Sequence, residues 1–317
     1  MKKLYISRPL PQPVVDAAAA HFDVTVRAET SPLTASELRD SLANYDAVLP
    51  TLRDMYTADV FADVPGARCK LLANFGVGYN HIDVVAAQAA GIAVTNTPGA
   101  VTDATSDIAM TLMLMTARRA GEGERMVRAR TWEGWHPTQM LGLHMTGKTV
   151  GIIGMGRIGE AIARRCHFGF DMNVKYYNRS AKPMPFPAEQ VSNLTDLAGQ
   201  VDILVAAIPG GPATHHLINA DVFGAMQPHA MFINIARGDV VDESALITAL
   251  QTGQIAGAGL DVYEFEPSVP DALLALENVT LLPHLGTAAL EVRTDMGLMA
   301  VDNLIAHAQG NPLPNAV

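Results

Sequence analysis

The run VGIIGMGRIGEAIARRC, from Val150 to Cys166, admits few folds. Val150–Ile153 is unbroken apolar sequence of strand type. Gly154-Met155-Gly156-Arg157-Ile158-Gly159 follows with G-x-G-x-x-G spacing, and Glu160–Phe168 continues with helical periodicity. Gly154 permits a tight turn out of the strand, Gly156 lets a ligand approach the backbone, and Gly159 lets helix pack on strand. The helix N-terminus then offers free N–H groups and a partial positive charge to a pyrophosphate. The glycines alone also fit an ordinary turn. A strand before them, a helix after them and a second strand at Asn173–Tyr177 make the unit a dinucleotide binder.

Such a unit usually ends its second strand on an Asp or Glu that holds the adenosine ribose. Here Asn178, Arg179 and Ser180 stand there instead. An acid would repel a 2′-phosphate, whereas Asn178 does not. Arg179 can pair with the phosphate through its planar fork, and Ser180 can donate a hydrogen bond. The expected cofactor is therefore NADP(H), with NAD(H) possible. The plainer alternative is an Arg179 that is merely solvated at a strand end.

At 317 residues the chain suits two domains, each with its own core. Strand and helix signals alternate throughout, which predicts α/β architecture with two doubly wound parallel sheets. Strands are expected near Lys3–Ile6, Val24–Arg27, Ala47–Leu49, Leu71–Ala73 and Ala93–Thr95, with helices near Pro13–His21, Ala35–Leu42 and Ile82–Ala90. Further strands are expected near Thr149–Ile153, Asn173–Tyr177, Ile203–Ala207, Met231–Asn234, Ala256–Leu260 and Val279–Leu281. One long helix is expected over Thr105–Arg130, and a last one over Ala288–Ala308 that returns to the first domain. This gives residues 1–98 with 287–317 as one domain and 99–286 as the dinucleotide-binding (Rossmann) domain.

A net charge of −10 argues against nucleic acid or an anionic membrane as partner. The two cysteines, Cys69 and Cys166, lie outside any C-x-x-C and read as packed thiols of a reducing compartment. The start, Met1–Pro9, has no long apolar stretch, and Ile108–Ala117 is too short to span a bilayer. A cytoplasmic protein is expected.

Three segments place polar groups just after predicted strands, where open α/β sheets bind ligands. INIARGDVVDE holds Arg237, GLDVYEFEP holds Asp261 and Glu266, and LLPHLGT holds His284. Each has a bland reading: a solvated Arg, one charge of an acidic turn, a structural His. Behind a dinucleotide unit their joint occurrence says more. Arg binds a carboxylate, a Glu–His pair makes a tuned proton donor, and a nicotinamide supplies hydride, which together reduce a 2-oxo acid to a 2-hydroxy acid.

The chain resembles the D-isomer-specific 2-hydroxyacid dehydrogenases, in particular their glyoxylate/hydroxypyruvate reductase branch. The matching segments are NFGVGYNHID, NTPGAVTDATSDIA, GIIGMGRIG, MFINIARGDVVDE, AGLDVYEFEP and LLPHLGT, spread over nearly the whole chain. The resemblance implies a flavodoxin-like substrate domain beside the Rossmann domain and a homodimer. It implies an Arg237–Glu266–His284 catalytic set, with Val77, Gly78, Leu52 and Arg237 at the substrate. Thr105, the loop Gly154, Gly156, Arg157, Ile158 and Gly159, the trio Asn178–Ser180, Pro209, Thr214, Ile235, Asp261, His284 and Gly286 would line the cofactor. Leu52, Arg53, Tyr79 and Met296 are candidates for pocket walls.

The pair His215-His216 and the single His136 lack a metal-ligand pattern, and no metal is expected. TWEGWHPTQMLG reads either as packing aromatics or, by the resemblance, as a segment that crosses to the dimer partner, with Gln139 where some relatives carry Trp. The expected reaction is NADPH-dependent reduction of glyoxylate or hydroxypyruvate, with His284 giving the proton. The runner-up is reduction of bulkier aryl pyruvates, which the RSAKP ending of the second strand also suits. A nucleotide-sensing corepressor of the same fold would not need the complete catalytic set. Phosphite oxidation fits poorly, since Val77 stands where that relative carries Lys.

Overall fold

The computed structural model describes residues 1–317, which divide into two compact units, Met1–Val101 with Thr287–Val317, and Thr102–Gly286. In the first unit β1 (Lys3–Ile6), α1 (Gln12–Ala19), β2 (Asp23–Val26), α2 (Ala35–Asn44), β3 (Ala47–Leu49), α3 (Ala58–Ala62), β4 (Leu71–Ala73), α4 (Val84–Ala89) and β5 (Ala93–Thr95) alternate. The strands form one five-stranded sheet in the order β2-β1-β3-β4-β5, parallel at every pairing.

The second unit contains α5 (Thr102–Ala117), α6 (Ala120–Arg128), β6 (Thr149–Ile153), α7 (Arg157–Phe170), β7 (Asn173–Tyr177), β8 (Glu189–Gln190), α8 (Leu194–Ala198) and β9 (Ile203–Ala206). It continues with α9 (Ala220–Ala225), β10 (Met231–Asn234), α10 (Glu243–Gln251), β11 (Gly257–Leu260), α11 (Asp271–Leu274) and β12 (Val279–Leu281). Its seven strands run in the order β12-β11-β10-β9-β6-β7-β8. Every residue of β9, β10 and β11 is buried. That is why these strands read as continuous apolar runs: helices cover both faces of a parallel sheet, so no face needs polar residues.

The last helix, α12 (Leu290–Gln309), belongs to the first unit. A Cβ at Gly297 would lie 2.4 Å from Val14, so only glycine lets α12 approach α1 this closely. Buried Asn303 then ties the helix to the tail, giving a hydrogen bond to Asn315 Oδ1 (3.0 Å) and accepting one from Asn315 N–H (3.0 Å). Val317 N–H donates to Val94, which finishes the β5 edge.

The structure corrects the single helix expected over Thr105–Arg130. It breaks into α5 and α6 at Arg118–Arg119, with Arg119 at φ 52°. The carbonyl of Ala117, which a continuing helix would use internally, accepts the Leu143 N–H at 2.7 Å. Gly121 and Gly123 weaken continuation further. The two pieces also differ in burial: α5 buries eight of its residues, from Thr105 to Ala117, and α6 buries none. The short edge strand β8 is polar and half-visible at best to a hydrophobic pattern. No helix is long and apolar enough to cross a membrane. Cys69 and Cys166 are free and buried, and burial pushes both thiols up to about 12, which keeps them from acting as thiolates.

Candidate active site

The glycine loop joins β6 to α7. Gly154 has φ 95°, and a Cβ there would meet Ile208 at 2.5 Å and the Ala207 carbonyl at 2.7 Å. Gly159 is packed as tightly, with a would-be Cβ 2.1 Å from Gly154 O. Gly156 is different: nothing lies within 4 Å of its Cβ position. It caps α7 with no side-chain hydrogen bond, so the first N–H groups of this helix point outward without an acceptor. A helix start that is uncapped, open at one glycine and rigidly packed at the two others fits a phosphate group. Arg157 is exposed beside it, and Ile158 is half-buried.

The turn after β7 is fixed locally. Asn178 Nδ2 donates to Ser180 O (3.0 Å), and Gln190 Nε2 donates to Asn178 O (2.9 Å). Arg179 and Ser180 are exposed, and no ion pair engages Arg179. Lys182, two residues on, is paired with Glu160 of α7 at 2.6 Å. In the loop after β9, Thr214 Oγ1 donates to Pro209 O at 2.7 Å, so the two expected cofactor residues there bind each other. Ile235, directly after β10, is buried.

The carboxyl ends of β10, β11 and β12 bring the three titratable candidates together. Buried Asn234, the last residue of β10, accepts Ala236 N–H (3.0 Å) and donates to Arg237 O (3.0 Å). These two bonds turn the chain and aim Arg237. Its guanidinium spends one N–H on Ala236 O (2.7 Å) and keeps the rest of the fork available. Gly210 makes room for it: a Cβ there would sit 3.0 Å from Arg237 Cγ. Burial pulls the Arg237 guanidinium down from its usual value, and the charges of Glu266 and Asp239 offset part of that.

His284 Nδ1 lies 2.9 Å from Glu266 Oε2, both groups partly buried. Glu266 Oε1 accepts Tyr263 N–H at 3.1 Å. Burial alone would raise the Glu266 carboxyl. The His284 hydrogen bond and charge, the Tyr263 N–H and Arg237 outweigh it and hold the carboxyl below its usual range. An ionised Glu266 therefore faces Nδ1, and the other ring nitrogen, Nε2, is left as the free proton-carrying position.

His284 adopts φ 54°, a left-handed conformation uncommon for a residue with a side chain. Asp261 holds it there. Its backbone carbonyl accepts His284 N–H (3.0 Å), and its two carboxylate oxygens accept Leu285 N–H (2.6 Å) and Gly286 N–H (2.8 Å). Thr105, buried on α5, donates to Gly286 O at 3.2 Å. Asp261 is 2% exposed. Burial raises its carboxyl, and the Leu285 N–H, His284 and the Gly286 N–H offset this only in part. Asp261 and Thr105 thus clamp the His284 loop from both sides, a job their sequence positions did not suggest.

In the first unit the candidate loop follows β4. Asn74 Nδ2 donates to Gly76 O (3.0 Å) and Gly78 O (3.1 Å), and Asn96 Nδ2 donates to Val77 O (2.9 Å). With the carbonyls tied back, the N–H groups of Val77 and Gly78 have no acceptor within the chain. Adjacent free N–H groups make an anion-binding concavity. Phe75 N–H donates to Pro50 O, and Thr51 bridges to Phe75, which puts Leu52 at the same sheet edge. Arg8 donates to Leu52 O (2.7 Å) and pairs with Asp54 (3.1 Å). Arg53 beside them has φ 76° and no ion pair. Tyr79 is exposed, and Met296 is buried at 3% exposure.

Sequence reasoning missed Asn74, Asn96 and Asn234. Their signal was faint: single asparagines at or just past strand ends, a residue type that commonly bonds nearby backbone.

Comparison with known proteins gives one consistent answer. The family described as D-isomer specific 2-hydroxyacid dehydrogenase, NAD binding domain, matches residues 110–286. A glyoxylate reductase of Thermococcus kodakarensis is 41% identical over 99% of this chain and 96% of its own length. A glycerate dehydrogenase of Hyphomicrobium methylovorum is 36% identical over 95% of this chain and 94% of its own. The crystal structure of an NADPH-dependent glyoxylate/hydroxypyruvate reductase from Sinorhizobium meliloti, in complex with NADP and malonate, superposes with a TM-score of 0.89 at 35% identity. That match covers 100% of this chain and 96% of the other.

Proposed function

The chain belongs to the D-isomer specific 2-hydroxyacid dehydrogenase family, and we propose that it uses NADPH to reduce a small 2-oxo acid, glyoxylate or hydroxypyruvate, to the 2-hydroxy acid. The observation that carries this reading is the 2.9 Å pair of His284 and Glu266, with the Arg237 charge acting on the same carboxylate. A bound nicotinamide supplies hydride. His284 Nε2 gives a proton to the substrate oxygen as negative charge develops there. Glu266 orients the ring through Nδ1 and leaves Nε2 as the proton-carrying atom. Arg237 takes substrate oxygens with its remaining fork and polarises the carbonyl. The free Val77 and Gly78 N–H groups take the substrate carboxylate, and Leu52 borders it.

The phosphate-binding residues are the α7 start, Gly156, Arg157 and Ile158. Arg179 and Ser180 take the 2′-phosphate; both are exposed and Arg179 has no competing ion pair. Arg179→Ala is expected to weaken NADPH binding by about 10- to 150-fold, the worth of one charge-assisted contact of roughly 1.5–3 kcal/mol, and to leave NADH binding nearly unchanged. Fluorescence titration with both cofactors measures this, and equal efficiency of the parent protein with both would refute the preference. A rate panel of glyoxylate, hydroxypyruvate, pyruvate and phenylpyruvate tests the substrate class. Highest kcat/KM on phenylpyruvate would move the reading to an aryl-pyruvate reductase. A homodimer fits the segment from Thr131 to Met145, where Trp132, Trp135 and Leu141 are 52%, 80% and 68% exposed. A partner surface would cover such exposed apolar groups.

A further inference from the structure

Outside the Arg237–Glu266–His284 group, the second unit gathers another set of donors. His215 and His216 lie between β9 and α9, and Glu264 lies in the loop after β11. One ligand atom from each falls within 4.8 Å of the other two. His216 Nε2 is 2.8 Å from Glu264 Oε1, and the two imidazoles stack with centroids 4.0 Å apart and planes at 26°. We infer that His215, His216 and Glu264 form a binding site for a borderline divalent transition-metal ion, with Zn²⁺ as its representative.

The chemistry of the donor set favours this class. Two imidazole nitrogens and one carboxylate oxygen suit zinc, cobalt or nickel, whereas magnesium and calcium take oxygen donors. Zinc bonds of about 2.0–2.2 Å in tetrahedral geometry set neighbouring donors roughly 3.3–3.5 Å apart. The separations here reach from 2.8 Å to at most 4.8 Å and bracket that distance, so small side-chain rotations close the set. Three protein donors leave a fourth position for water or an exogenous ligand.

The surroundings fit a cation as well. Glu264 N–H donates to Glu243 Oε2 at 3.3 Å, which brings a second, largely buried carboxylate beside the first. The only salt-bridge partner of Glu264 is His216. The His216 backbone is held at φ 49° by its N–H bond to Asp239 O (2.9 Å), so the ring is aimed by the fold. A simple His–Glu hydrogen bond explains one imidazole. It does not explain the second, stacked on the first with a nitrogen within 4.8 Å of the same carboxylate. A metal ion takes both rings in their neutral form and joins all three groups.

Sequence pattern gave no hint of this, since adjacent histidines lack ligand spacing and the third donor is 48 residues from His216. The test uses the full-length protein, stripped with a chelator, titrated with ZnCl₂ by calorimetry and with CoCl₂ by visible absorption. One equivalent per chain is expected, with ligand-field bands for Co²⁺. His215→Ala and Glu264→Gln should each weaken Zn²⁺ binding at least about tenfold, the loss of one of three ligands. His136→Ala, at an exposed site elsewhere, should leave it unchanged. His215 is exposed, so its removal leaves the fold intact and discriminates cleanly. Zn²⁺ affinity unchanged in His215→Ala, or no saturable binding by the parent, would overturn the site and reduce the cluster to a hydrogen-bonded pair.

Discussion

At the carboxyl edge of the seven-stranded sheet the polar groups are side chains that hold one another or the turns that carry them: Glu266 with His284, Asp261 with the loop carrying His284, Asn234 with the turn carrying Arg237. At the carboxyl edge of the five-stranded sheet free backbone N–H groups are on offer at Val77 and Gly78, where Asn74 and Asn96 turn neighbouring carbonyls away and Asn74 also pairs with buried His81. On the proposed reading the first edge moves a proton and the second holds an anion. The difference predicts that changes at the first edge will act mainly on the chemical step, and changes at the second mainly on substrate affinity.

The strongest test of that contrast is His284→Ala. Loss of a general acid typically costs about 10²–10⁴-fold in rate, so kcat should fall by that order while NADPH binding, followed by tryptophan fluorescence, survives. A variant within a few-fold of the parent would assign His284 to packing alone. Arg237→Lys comes next. It keeps the charge and loses the planar fork, which should lower kcat/KM for glyoxylate by about 10- to 150-fold, the equivalent of roughly 1.5–3 kcal/mol. Near-parent kinetics would mean that the fork is not engaged.

Glu266→Gln sharpens the comparison through pH. With the carboxylate gone, the His284 ring loses its charged partner at Nδ1, and kcat for reduction should fall. Stability should change too. The folded-state Glu266 carboxyl lies below its ordinary value of 4.5, so its contribution is complete above that pH and is lost as pH falls through the lowered value. Asp261 has the opposite sign: its carboxyl is raised from 3.8, and its contribution is lost as pH rises through the raised value. Urea midpoints measured from neutral pH down into the acid range should therefore show a shallower acid loss in Glu266→Gln than in the parent. A parent-like kcat together with an unchanged acid slope would remove Glu266 from both roles.

The smallest effect is expected at the first unit's loop. Asn96→Ala frees the Val77 carbonyl and loosens the adjacent N–H pair. One neutral hydrogen bond is worth about 0.5–1.5 kcal/mol, or roughly 2- to 12-fold. That should appear as a raised KM for glyoxylate with kcat nearly constant. A fall in kcat instead would erase the distinction between the two edges.

Much of this was legible in the sequence. The buried strands β9 and β10 announced themselves as apolar runs, because a parallel sheet covered on both faces demands nothing else. Gly154 and Gly159 carried their own meaning, since their would-be Cβ atoms have no room. Arg237, Glu266 and His284 could be named as candidates because each stands in a segment that follows an apolar strand run. The helix break at Arg119 was not readable, because its cause is a hydrogen bond from Leu143 to Ala117 that local periodicity does not register.

The sequence by itself determined the fold class and the dinucleotide unit and named Arg237, Glu266 and His284 as candidates, since spacing and residue type act locally and survive in one dimension. Tertiary structure alone decided which groups meet. It bolted the His284 loop to Asp261, 23 positions back along the chain, and left the Val77 and Gly78 N–H groups unclaimed. It also set Glu264 against two histidines that no ligand spacing connects. The physical reason is that distance along a chain says nothing of distance in space, and hydrogen bonds, charge pairs and metal ligation depend on the second.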